Sequence, residues 1–214
     1  DIAVVVAYGQ IIPRDILNIE NIDFINIHAS LLPKLRGAAP IQRSIMQMDK
    51  ETGISIMKII KQLDAGPYMM QERIKITSDT NNEKLGKNLS LLASKLIIKS
   101  LNLLENKKEK FVEQDEQKAT YAKKIEKSEC RIKWNLPAKE LVAKINGLSP
   151  FPGAWFEHKK NRLKIIKAEE TNLKGNIGEV INNNLIIGCL DKSIKITQIQ
   201  KAGKKTLNTN EFIA

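Results

Sequence analysis

Along this chain, runs of β-branched residues give way repeatedly to apolar stripes at helical spacing. Residues 2–7, IAVVVA, form an unbroken run of the kind a parallel strand shows when both faces are covered. Tyr8-Gly9 ends the run, and Pro13 is placed to open a short helix over 14–18. A second strand is predicted at 24–28, FINIH, after which the pattern breaks into Ser30-Leu31-Leu32-Pro33 and an Arg36-Gly37 turn. Pro40 sits well at the first position of a helix that Ile41, Ser44, Ile45 and Met48 continue at helical spacing. TGISIMKI, from Thr52, alternates as a strand and runs into the turn Gln62-Leu63-Asp64-Ala65-Gly66-Pro67; residues 68–76 read as another strand. Leu85, Leu89, Leu92, Leu96, Leu101 and Leu104 mark the clearest helix, over 81–105. Strands alternating with helices predict an α/β unit with a mainly parallel sheet.

Beyond Leu104 the texture changes. ENKKEKFVEQDEQKAT is charged and lacks glycine, and residues 106–120 are expected to be a linker between domains 1–105 and 121–214. In the second domain one helix is predicted at 138–145, between Pro137 and Gly147. Short strands follow near Trp155 and at 163–168, 178–181, 185–189 and 194–200. Strands at this spacing suggest a small five-stranded β-barrel or a sandwich.

Charge sharpens the division. Residues 1–106 hold 13 Lys+Arg against 11 Asp+Glu, whereas residues 107–214 hold 22 against 13. The excess in the second half suggests a polyanionic partner; a lysine-rich coding bias is the plain alternative, but the first half shares the Ile and Asn richness without the charge. Cys130 and Cys189 have no neighbours at metal-ligand or disulfide-framework spacing, and read as ordinary thiols. With no long apolar span and no signal-peptide pattern at its start, the chain is expected to be cytoplasmic, away from membranes.

The candidate chemistry gathers at the second strand. Asn26 and His28 are two residues apart, so a strand projects them from one face about 6–7 Å apart. The loop after His28 lies where α/β proteins place ligands, which favours a chemical use for this histidine over a core one. Asp64 can orient the imidazole or can cap its own turn; the local sequence allows both. Asn26 can donate to a developing oxyanion, an interaction whose loss typically costs about 3–4 kcal/mol. His158, in EHKKN, reads as a surface residue. Without a nucleophile motif, a phosphate loop or a metal cluster, an Asn, His and Asp trio points to group transfer between two bound substrates.

Taken together, NIHASLLPKLRGAAPIQ, TGISIMKI and LDAGPYM at their observed distances resemble the signature of the folate-dependent formyltransferases. RGAAPIQ, in place of a second His-containing loop, resembles the branch that formylates methionyl-tRNA. In the second half YAKKI, RIKW, SPFPGAW and IQKAGKKTLN look like that branch's tRNA-binding domain. The resemblance implies a Rossmann-like formyltransferase domain followed by an OB-like β-barrel, with Asn26, His28 and Asp64 as the catalytic trio. It places Ser30, Leu31, Leu32 and Pro33 against folate, and Tyr8 and Gly9 in the same pocket. The implied donor is 10-formyltetrahydrofolate and the acceptor is the amine of methionyl initiator tRNA, with no metal and no partner subunit. Arg36, Lys159, Lys160, Lys204 and Lys205 are expected on the tRNA surface. Family members begin with further βα units and end slightly later, so the chain is expected to lack an N-terminal part. Formylation of a small amine, such as glycinamide ribonucleotide or an amino sugar, and an inactive RNA-binding module are the competing readings.

Overall fold

The computed structural model describes residues 1–214, which divide into two units: residues 1–44, 50–76 and 85–124, and residues 45–49, 77–84 and 125–214. In the first, β1 (Ile2–Val6) lies parallel to β2 (Asp23–His28), with Val6 opposite Ile27. Next to β2 come β3 (Glu51–Lys58) and then β4 (Tyr68–Lys75), giving the order β1-β2-β3-β4. Only the first pairing is parallel; β2 with β3 and β3 with β4 are antiparallel, which corrects the expectation of a mainly parallel sheet. The chain enters β3 from the end where β2 leaves, so His28 pairs with Ser55 and Ile25 with Lys58.

Burial departs from the sequence pattern at two strands. Ile2, Val4 and Val6 of β1 are exposed although the run reads as covered on both faces, and β3, flanked by strands on either side, is buried on both faces from Thr52 to Met57. Ile25, Ile54, Ile56 and Met57 are all at most 2 % exposed in the centre of the sheet. Gly53 is required here, because a Cβ would lie 2.1 Å from the Glu72 carbonyl oxygen on the adjacent strand. Short helices α1 (Arg14–Leu17) and α2 (Pro40–Met46) occupy the connections, and the long α3 (Asn82–Glu105) buries Leu85, Leu89 and Leu96. Ser100 in α3 donates to the Met70 sulfur in β4 at 3.3 Å, placing the helix against that strand.

In the second unit α4 (Ala138–Leu148) covers a six-stranded antiparallel sheet of order β5-β6-β9-β8-β7, with β10 also on β9. The strands are β5 (Ala154–His158), β6 (Asn161–Thr171), β7 (Val180–Asn182), β8 (Ile186–Gly188), β9 (Ser193–Lys201) and β10 (Thr206–Asn208); α5 (Thr209–Ile213) ends the chain. Leu141, Ile145 and Leu148 of α4 share one core with Ile165, Ile194, Ile196 and Ile199. Cys130 and Cys189 lie in the same core, and burial pushes the Cys189 thiol up to about 11. Both cysteines are therefore packing residues, poorly suited to supply a thiolate. No helix is long and apolar enough to cross a membrane.

Arg36 departs from its expected place on the tRNA surface. It is wholly buried. Its guanidinium gives Nη1 and Nη2 to the two Glu116 carboxylate oxygens at 3.0 and 2.7 Å, and Nε and Nη2 to Gln114 Oε1 at 3.0 and 2.9 Å. A guanidinium cannot lose its charge inside a protein, so burial demands this bidentate partner. The main chain completes the attachment: Arg36 N donates to Thr120 O, and Ala122 N to Arg36 O at 2.7 Å. Residues 114–120 of the segment expected as a linker, and Tyr121 and Ala122 just beyond it, thus lie along the 35–37 loop and belong to the first unit.

The hydrogen bond to Glu116 raises Arg36 above its ordinary value against the opposing effect of burial, and Arg36 holds Glu116 below its ordinary 4.5. A carboxylate depressed by folding contributes stability that is complete above the ordinary value and is lost as pH falls through the folded one. Glu116→Gln should therefore be less stable than the parent at neutral pH, with the gap closing as pH falls below 4.5. Thermal melts of the pair across that range check this, and a gap that does not change with pH would contradict it.

Candidate active site

The ring of His28 is anchored through Nε2 and faces a carboxylate through Nδ1. Nε2 lies 2.9 Å from the Leu35 carbonyl oxygen, which can only accept, so Nε2 carries a hydrogen. Nδ1 faces Asp64 Oδ2 at 3.6 Å, with the histidine side chain 6 % and the aspartate side chain 14 % exposed. The same Oδ2 accepts from Gly37 N at 2.7 Å. The carboxylate therefore bonds to the main chain of the 35–37 loop and faces the imidazole.

Asp64 arrives there by an unexpected route. Antiparallel pairing sends the end of β3 away from the end of β2, and the 59–67 loop has to fold back to bring the carboxylate over His28. Lys58 N donates to Pro67 O at 2.9 Å as the loop closes. Gly66 comes so near Lys58 that a Cβ there would lie 2.0 Å from its carbonyl oxygen. Asp64 itself has φ 48, a left-handed conformation that a residue holds when its surroundings fix it.

Asn26 is half-buried on the same strand face as His28, and its carboxamide has no hydrogen-bond partner within the chain. A part-buried amide without an internal partner is free to bind a substrate. Tyr8 and Gly9 follow β1, which runs parallel to β2, so they leave the sheet at the end where His28 sits; Tyr8 is exposed. The loop after His28 is pinned from below. Ser55 Oγ donates to Ser30 O at 2.6 Å and accepts from Leu32 N at 3.1 Å, while Gln71 Nε2 donates both to Leu32 O and to Ser55 Oγ at 2.8 Å. Leu32 is buried, whereas Leu31 and Pro33 stay part exposed.

Sequence reasoning did not find Ser55, Gln71, Gln114 or Thr120, which hold this site together. Ser55 did leave a signal: a serine on the buried face of an isoleucine-rich strand needs partners, and it is wholly buried. Thr120, which stays exposed, and the buried Gln114 lie in a charged stretch whose composition gives no hint of these contacts.

The four lysines come together elsewhere, in the second unit. Lys159 and Lys160 form the β5–β6 turn, both with positive φ, and Lys204 and Lys205 lie in the β9–β10 turn. Leu163 pairs with Lys201, and Ala202 N donates to Arg162 O at 3.3 Å, so both turns leave the same end of the sheet. Beside them Arg162 stacks on Trp155 at 3.8 Å from the ring centre. All four lysines are exposed and none pairs with a carboxylate. Residues 28 and 64 do not belong to a metal cluster: no group of three or more His, Cys, Asp or Glu could hold an ion.

Residues 1–101 match the formyl transferase family, and residues 124–214 match the formyl transferase C-terminal domain. The chain is 57% identical over 214 residues to the methionyl-tRNA formyltransferase of Pelagibacter ubique, covering 100% of this chain and 69% of that protein. It is 42% identical over 217 residues to the methionyl-tRNA formyltransferase of Brucella ovis, covering 100% of this chain and 71% of that protein. The crystal structure of HypX from Aquifex aeolicus in complex with tetrahydrofolic acid shares the fold, with a TM-score of 0.77 at 18% identity over 100% of this chain and 38% of that one. Matched in both halves by one family and along its whole length by such relatives, the chain belongs to the formyltransferase family, on its methionyl-tRNA formyltransferase branch.

Proposed function

We propose that this protein, acting as a cytoplasmic monomer, transfers the formyl group of 10-formyltetrahydrofolate to the α-amine of methionine carried by initiator tRNA. The observation that carries the reading is the His28–Asp64 pair held under the 35–37 loop, with the unpartnered Asn26 amide on the same strand face. The first unit serves as a Rossmann-like formyltransferase domain and the second as an OB-like tRNA-binding barrel.

Each residue has a chemical use that its position supports. Asn26 donates to the formyl oxygen as that oxygen gains charge, where a preorganised donor is worth about 3–4 kcal/mol. Nε2 of His28 is engaged by Leu35, so protons are exchanged on the side of Nδ1 and Asp64 Oδ2. Through that side the pair takes the proton that the attacking amine loses and delivers it to the departing folate nitrogen. The donor set fits a folate substrate: Leu31 and Pro33 offer apolar surface and Ser30 to Leu32 a main chain held rigid by Ser55 and Gln71. At one end of the second unit's sheet, Lys159, Lys160, Lys204 and Lys205 supply unpaired positive charge for a phosphate backbone, which a small amine would not need.

His28→Ala and Asp64→Asn, made singly in the enzyme expressed from its full reading frame, should each lower kcat by about 10²- to 10⁴-fold. Rates within about threefold of the parent in a formyl-transfer assay would remove these roles. Changing Lys204 and Lys205 together to Ala should weaken tRNA binding and flatten the log-log salt dependence by roughly 0.7 to 0.9 per lost contact. A salt titration of tRNA affinity identical to the parent's would take these lysines off the binding surface.

A further inference from the structure

Gln114 is the one side chain that touches both the buried guanidinium and the Asp64 loop. It is 8 % exposed, and every hydrogen-bonding position of its amide is used. Oε1 accepts from Arg36 Nε and Nη2 at 3.0 and 2.9 Å, while Nε2 donates to Asp64 O at 2.9 Å and to Gly66 O at 2.6 Å. These partners fix which way round the amide sits. A guanidinium offers donors only and a carbonyl accepts only, so turning the amide over would set donor against donor and acceptor against acceptor.

We propose that Gln114 is a positioning residue for the reaction, setting the main chain of Asp64 so that its carboxylate meets His28 Nδ1; this rests on the catalytic reading of Asp64 and His28 given above. Asp64 is then held from two sides, by Gln114 at its carbonyl and by Gly37 N at its carboxylate. That is what keeps its φ of 48 in place. Glutamate cannot replace glutamine here. Its second oxygen would confront the Asp64 and Gly66 carbonyls, while its first would still serve Arg36. Gln114→Glu therefore separates the two contacts, keeping the guanidinium clamped and releasing the loop.

The test is a double-mutant cycle between Gln114→Glu and Asp64→Asn in the enzyme expressed from its full reading frame. It is assayed with 10-formyltetrahydrofolate and methionyl-tRNA. In the parent background Gln114→Glu should lower kcat about 10- to 10²-fold, the usual cost of a misplaced group, with KM for both substrates within about twofold. In the Asp64→Asn background it should change kcat by less than about twofold, because the group through which it acts has gone. Glu116→Gln, which touches the same guanidinium but not the loop, should leave kcat within about twofold. Should Gln114→Glu melt below the assay temperature, Gln114→Met takes its place in the cycle. Loss of activity in Asp64→Asn combined with an absent or fully additive Gln114 effect would overturn this inference alone. An active Asp64→Asn would overturn the catalytic reading and this inference with it.

Discussion

A charged guanidinium wholly removed from water has to be matched by fixed acceptors, and in the first unit that requirement organises the loops around His28. Arg36 lies one residue beyond the carbonyl that holds the imidazole and one residue before the amide that holds the Asp64 carboxylate. Gln114 and Glu116 clamp its side chain, and Thr120 and Ala122 pair with its main chain. Anything that moves Arg36 therefore moves both attachments of the histidine-aspartate pair. Glu116 meets the guanidinium from the solvent side, whereas Gln114 is buried with it. The geometry at the site is thus maintained by residues that have no part in the chemistry.

The sequence made much of this visible, for definable reasons. β1, β2, β3, β4 and α3 stand within a few residues of where apolar period placed them, since period reports which face is buried. It does not report strand direction: nothing in TGISIMKI distinguishes a strand parallel to β2 from one antiparallel to it, and the structure has the latter. In the second unit β10 and α5 span only Thr206–Asn208 and Thr209–Ile213, too short for a periodic signal, so a sixth strand was not foreseen. Asn26, His28 and Asp64 were legible because polar residues interrupt apolar runs at strand and turn boundaries. The burial of Arg36 does not show in the sequence, where an arginine beside a glycine in a turn looks like surface. Its acceptors, Gln114 and Glu116, stand 78 and 80 residues away.

The two units divide the physical work. In the first, the polar groups around His28 satisfy one another, and the half-buried Asn26 amide on the same strand face has no partner within the chain. In the second, an apolar core leaves the lysines of two turns at one end of a sheet, unpaired and exposed. The charge excess read from the second half of the sequence is therefore partly localised in space, which composition alone could not establish. Arg162, beside those turns, spends its cation on the Trp155 ring, so its geometry is set by stacking rather than by solvent.

The reaction proposed for this site delivers a formyl group to an amine carried on tRNA. Its most direct test is a competition in which the enzyme from the full reading frame receives 10-formyltetrahydrofolate together with methionyl-tRNA, glycinamide ribonucleotide and an amino sugar, with the formylated products then identified. The expected result is formyl-methionyl-tRNA as the product that accumulates. Formylation of either small amine with the methionyl-tRNA left unmodified would contradict it.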